Sequence, residues 1–178
     1  MRMRLSQILI SFGITLGLLI GLEIVTSTIL PVMGWKEYRL TFNVLLILFL
    51  AIRLDSPLVP WMIMGLQVVH SIFSIEGWAV GTLAGLIVML SANYLKELLH
   101  LTTAIMTMIT VQFFQLIWYL TVTLTICLKI SDFEKFPMIL WSFIPGSILL
   151  SFISPVIFWI LSLIWRTQSE GSSRGVEI

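Results

Sequence analysis

Residues 5–32 read LSQILISFGITLGLLIGLEIVTSTILPV, and Glu23 is the single charge among them. A helix rises about 1.5 Å per residue, so about 20 apolar residues cross the roughly 30 Å hydrocarbon core of a bilayer. This run is longer than that. Arg2 and Arg4 precede it in the manner of a signal peptide, but it is too long for a signal's apolar region and has no A-x-A cleavage pattern. It reads as a retained first membrane helix.

Working outward, the rest of the 178-residue chain repeats the pattern. Short charged clusters divide it into further apolar segments at about Leu40–Ile52, Leu58–Ile75, Gly77–Leu95, Leu101–Ile130 and Pro137–Trp165. Charged residues make up 11% of the chain and the mean hydropathy is +1.06, where a soluble protein carries about 25% charge. The expectation is an all-α integral membrane protein of about six transmembrane helices, with one domain over 1–165. The Ser/Gly-rich stretch 166–178 reads as a disordered cytoplasmic tail. The second segment spans only about 20 Å, so it should be tilted into or covered by its neighbours. Pro145-Gly146 and Pro155 should kink the last one.

With six spans and the N-terminus inside, Arg2, Arg4, Arg53, Lys96, Arg166 and Arg174 fall on the inner side. Lys36, Arg39, Lys129 and Lys135 fall on the outer side. The excess of six to four favours both termini on the cytoplasmic side. A net charge of +1 offers no basic patch for nucleic acid, and the lone Cys127 allows neither an intrachain disulfide nor a thiolate metal cage.

Two glycine ladders have a spacing of four: Gly13, Gly17 and Gly21 in the first segment, Gly77, Gly81 and Gly85 in the fourth. Such faces let another backbone approach closely, which drives helix association in lipid. They suit packing inside the protein or docking of a partner helix. Glu23 lies about 10 Å below the outer end of its helix by helical rise, roughly opposite the glycines. A charge there costs about 3 kcal/mol on insertion scales unless it is neutral, paired or wet. Lys36 and Arg39 are candidate partners, and an ion or proton site is the functional alternative. Gln67, His70 and Ser74 share one face of the third segment, and Gln112, Gln115 and Tyr119 one face of the fifth. These stripes fit interhelical hydrogen bonds of about 0.6 to 2 kcal/mol each, or the lining of a ligand cavity.

Catalytic signatures are sparse. There is no G-x-S-x-G and no H-E-x-x-H. Asp55 and Asp132 fall in loops on opposite sides of the membrane under this topology, and Cys127 has no local base. No cofactor or metal site is expected, and the reading is non-enzymatic.

The stretch Phe42–Arg53, the Pro57 turn and the glycines Gly65 and Gly77 resemble the MreD family. So do Ala92-Asn-Tyr-Leu-Lys-Glu-Leu-Leu99 and Pro155-Val-Ile-Phe-Trp159 ahead of Arg166. The likeness covers most of the chain. Departures are Leu40 and Thr41 where a proline follows the arginine, Val69 (beside His70) at the acidic position, and a degenerate turn at Phe73-Ser-Ile-Glu76. If those polar positions carry function, it is lost or moved here.

The resemblance implies a fold like the six-helix S-component of energy-coupling-factor transporters. It also implies a scaffold role in the bacterial rod complex, in cell shape and lateral peptidoglycan synthesis. The partner would be an MreC-like single-span protein, linked indirectly to MreB, RodA and a penicillin-binding transpeptidase. One glycine ladder would receive the MreC-like helix. The alternative is a transporter S-component, with the polar stripes around a small ligand. A third reading, an intramembrane enzyme or proton-coupled carrier, requires Glu23 and His70 to converge.

Overall fold

The computed structural model describes residues 5–32, 34, 40–54, 56–74, 77–96 and 103–170, with side chains through Trp165. Every regular element among them is helical. Helix α1 is Leu5–Ile24, extended by a π-helical stretch Val25–Ile29 and a last turn Leu30–Val32. It is followed by α2 Phe42–Arg53, α3 Val59–Phe73, α4 Trp78–Leu95, α5 Ala104–Ile130 and α6 Phe136–Glu170. The charged breaks therefore fall between helices as expected. Helix α6 runs to Glu170, so the tail boundary at Arg166 lies inside it, and residues 171–178 lie outside the described residues.

Four of these stretches, Leu5–Val32, Trp78–Leu95, Ala104–Ile130 and Phe136–Trp165, are long and apolar enough to cross a membrane. Helices α2 and α3, at 12 and 15 residues, are shorter.

Helix α2 is the axis of the bundle. Phe42 through Ala51 are all buried, and α2 touches α1, α3, α4, α5 and α6. Its sequence explains this, because a helix apolar all round has no face suited to water. The remaining helices form a shell with a mostly apolar exterior, including Ile10, Ile14, Leu90, Leu116, Phe152 and Val156.

A cleft of about 310 Å³ is bounded by Leu54 after α2, Pro57 and Pro60 at the start of α3, and Asn93 and Lys96 at the end of α4. It brings those three termini to one end of the bundle, the Arg53 end. Exposed aromatic rings mark two levels. Trp78 and Tyr94 are sixteen residues apart on α4, and Trp141 and Trp159 eighteen apart on α6. By helical rise these separations are about 24 and 27 Å, close to the roughly 30 Å of a hydrocarbon core. Such belts are where Trp and Tyr collect in membrane helices.

Helix α6 continues through both Pro145 and Pro155. Proline removes the N–H that would serve the carbonyl four residues earlier. At Pro155 that is the Ser151 carbonyl, and the Ser154 hydroxyl donates to it at 2.7 Å.

Candidate functional site

The buried stripe of α1 is Ile8, Ser11, Thr15, Leu19 and Glu23, at helical spacing. Gly13, Gly17 and Gly21 lie on the opposite, exposed face. A methyl group added at any of the three would meet nothing within 4 Å among the described residues, so none of the described helices fills this ladder.

The second ladder is different. A Cβ on Gly81 would sit 2.5 Å from Gln67 Oε1, and one on Gly85 2.9 Å from Ile63 Cγ2 and 3.1 Å from Ile47 Cδ1. These two glycines let α4 close on α2 and α3. Gly77 does not belong to the packed ladder: it precedes α4 at φ +77°, in open space, where its role is the turn. Gly65 packs under the Phe12 ring of α1, whose Cζ would lie 3.3 Å from an added methyl.

Glu23 and His70 converge. The carboxylate Oε1 of α1 lies 2.7 Å from Nδ1 of the ring on α3, and each residue is 4% exposed. A buried ionisable group is retained when it is paired, and this pair joins two helices 47 positions apart in sequence. The expected loop partners Lys36 and Arg39 lie outside the described residues. The π-helical stretch begins two residues after Glu23. Within it the Leu30 N–H reaches the Val25 carbonyl, five residues back, and the Thr26 hydroxyl donates to the Glu23 carbonyl at 2.9 Å. Single π turns in helices concentrate at functional sites.

Gln67 and Ser74 flank His70 on the same face of α3. Asn43 of α2 donates from Nδ2 to Gln67 Oε1 at 3.4 Å. Asn43 Oδ1, Gln67 Nε2, His70 Nε2 and the Ser74 hydroxyl are buried with no hydrogen-bond partner among the described residues. The result is a polar track through an apolar interior, from α2 across α3 to α1. The sequence reading had passed over Asn43, although it is the only polar residue from Phe42 to Ile52.

The stripe on α5 binds α6. Gln112 Nε2 donates to the Ser147 hydroxyl at 3.0 Å, and Gln115 Nε2 to the Ser151 hydroxyl at 3.1 Å. The single Ser151 hydroxyl proton is shared between Gln112 Oε1 at 2.6 Å and the Ser147 carbonyl at 2.9 Å. Tyr119 meets the Thr41 hydroxyl at 2.9 Å and stacks on Phe143 at 4.4 Å. Ser147 and Ser151, four apart and facing glutamines three apart, are the signal that would have located this contact.

Two surface depressions lie elsewhere. One is the cleft at the Arg53 end; the other is a groove of about 390 Å³ along Leu90, Tyr94, Phe113 and Ile117. No group of three metal-ligating side chains occurs among the described residues.

Comparison with known proteins returned no match to a family model, a curated protein or a solved structure.

Proposed function

We propose that this protein is a non-enzymatic, MreD-like membrane scaffold. In this reading all six helices are membrane segments of a bacterial inner membrane, with the short α2 enclosed by the others and the short α3 part of the shell. Both termini face the cytoplasm. The protein holds an MreC-like single-span partner and through it serves the rod complex in peptidoglycan synthesis.

The observation that supports this most is the contrast between the two ladders. Gly81 and Gly85 are filled from within by Gln67, Ile63 and Ile47, whereas Gly13, Gly17 and Gly21 face outward with open space above them. In lipid, helix association depends on close backbone approach, and small residues permit it. The exposed face of α1, with Ile10, Ile14, Ile20 and Ile24 along the glycines, has the form of a receiving surface for one helix. The alternative S-component reading would direct Gln112 and Gln115 at a ligand, but both ends of the Gln112 amide and the Gln115 Nε2 are engaged by Ser147 and Ser151, which leaves only the Gln115 Oε1 of these two amides without a partner among the described residues.

The test is affinity purification from native membranes in mild detergent, with and without Gly17→Leu. The scaffold reading expects a single-span protein to accompany the unsubstituted chain and to be lost from the variant, whose unfolding midpoint stays unchanged. Full retention of that partner by Gly17→Leu overturns the α1 docking face. Recovery of ATPase and coupling subunits instead overturns the scaffold.

A further inference from the structure

We propose that Glu23 and His70 form a proton-binding site in the membrane interior, and that its proton exchanges through Nε2 of His70. This inference rests on the membrane placement of the helices and not on the scaffold reading.

The argument begins with depth. His70 is nine residues beyond Trp61, the exposed ring near the start of α3. By helical rise that is about 13 Å, near the midpoint between the aromatic levels. A net charge is most costly at this depth. Other ionisable groups on the helices packed against α1 and α3 are few among the described residues. Helix α2 carries Arg53, α4 carries Tyr94, and α6 carries Arg166 and Glu170, all near the ends of their helices at the Arg53 end. The π-helical stretch carries none. Glu37 and Glu76, like Lys36 and Arg39, lie outside the described residues. Among the described residues, Glu23 is the ionisable group that meets His70.

The 2.7 Å contact requires one proton between Oε1 and Nδ1. Two arrangements make the pair neutral. In one, a carboxylate accepts from the Nδ1–H of an imidazolium. In the other, a carboxylic acid donates to Nδ1 of a neutral ring. Nε2 carries a hydrogen in both. When the pair gives up one proton, the bridging proton stays as Nδ1–H facing the carboxylate, and Nε2 is left bare. The atom that gains and loses the proton is thus Nε2, whichever side of the bridge holds the other.

Nε2 is buried and has no partner among the described residues. It is flanked on its own helix face by Gln67, whose Nε2 is likewise unpartnered, and by the unpartnered Ser74 hydroxyl at the end of α3. A purely structural Glu–His bridge needs only the Nδ1 side. The unpartnered polar atoms of Gln67 and Ser74 on the face of His70 leave Nε2 in a polar stretch of the interior.

The experiment is solid-state NMR of the full chain in phosphatidylcholine vesicles. The protein carries ¹⁵N-histidine and ¹³C-glutamate, with His100→Asn leaving His70 as the only ring. The expected result is a pH transition at the His70 Nε2 signal: if the neutral pair is carboxylate and imidazolium, Nδ1 stays protonated and the carboxyl carbon stays that of a carboxylate, and if it is carboxylic acid and imidazole, Nδ1 and one carboxyl carbon change in the same transition as Nε2. Glu23→Gln should remove the Glu23 carboxyl signal and change the Nδ1 signal that reports the bridge. Two results overturn the proposal: no pH-dependent change at Nε2 over the range in which the protein stays folded, or ring and carboxyl transitions that occur independently. If Glu23→Gln does not fold, the presence or absence of the Nε2 transition in the chain that retains Glu23 still decides between these outcomes.

Discussion

Glu23 on α1 and His70 on α3 meet at 2.7 Å, each almost fully enclosed. Removing one partner of a buried pair leaves the other without compensation, which costs several kcal/mol, whereas removing both costs less than the sum. Glu23→Ala and His70→Ala are each expected to lose about 2 to 5 kcal/mol of stability. The double variant should recover about 1 to 3 kcal/mol of the summed loss. A double-mutant cycle of unfolding in mixed micelles measures this, and strict additivity would refute the coupling.

The two ladders should respond oppositely to the same change. Gly85→Ala drives a methyl into Ile63 and Ile47 and is expected to destabilise the protein by about 1 to 3 kcal/mol, as overpacking does. Gly17→Ala meets nothing. It should be neutral, or stabilising by up to about 1 kcal/mol, because alanine is the better helix former. Thermal unfolding of the two purified variants in one detergent gives the comparison.

Ser151→Ala removes the hydroxyl that serves both Gln112 and Gln115. Interhelical hydrogen bonds in membranes are worth about 0.6 to 2 kcal/mol, so a loss in that range is expected. Ser142→Ala makes a control, because that exposed hydroxyl bonds only to its own helix. Equal effects of the two in denaturant titrations would mean that the α5–α6 contact does not depend on this network.

The order of the helices was legible in the sequence, because each apolar run is bounded by charge, glycine or proline. The partition of the two ladders was not. Gly13–Gly21 and Gly77–Gly85 share one spacing, and only the neighbours on other helices decide which is filled. The central place of α2 was half visible: its shortness called for cover, but an apolar segment with no polar face gives no direction. The Glu23–His70 contact was stated only as a condition. Spacing assigns each residue to a face of its own helix, and says nothing of which face of another helix lies opposite.

In the loop after α5, Ser131 sits at φ 57° as the C-cap, its N–H on the Cys127 carbonyl. Only glycine adopts this left-handed conformation at no steric cost. Ser131→Gly is expected to raise stability by about 1 kcal/mol, seen as a higher unfolding midpoint.

Beside it, the hydrogen bond from Lys135 holds the Asp132 carboxyl below its usual range, and the lysine is raised in turn. A depressed carboxyl contributes stability above its unfolded value and loses it as the pH falls through the folded one. The pair is exposed, so the acid-side loss should be small, weakened by salt, and reduced in Lys135→Ala, where the Glu134 N–H still donates to the carboxylate. Unfolding midpoints across acidic pH at two salt concentrations check this.

The place of α2 bears on how the protein is made. Its twelve residues are synthesised before four of the five helices that enclose it, α6 among them. At about 18 Å the nascent α2 is too short to lodge across lipid by itself. Its apolar sides stay without their partners until the helices that enclose it have been made. A chain stalled or cut before α6 would present an unroofed apolar centre, the kind of lesion that membrane proteases remove. The protein's abundance in a cell would then follow the completion of its final helix more closely than the strength of any single contact within it.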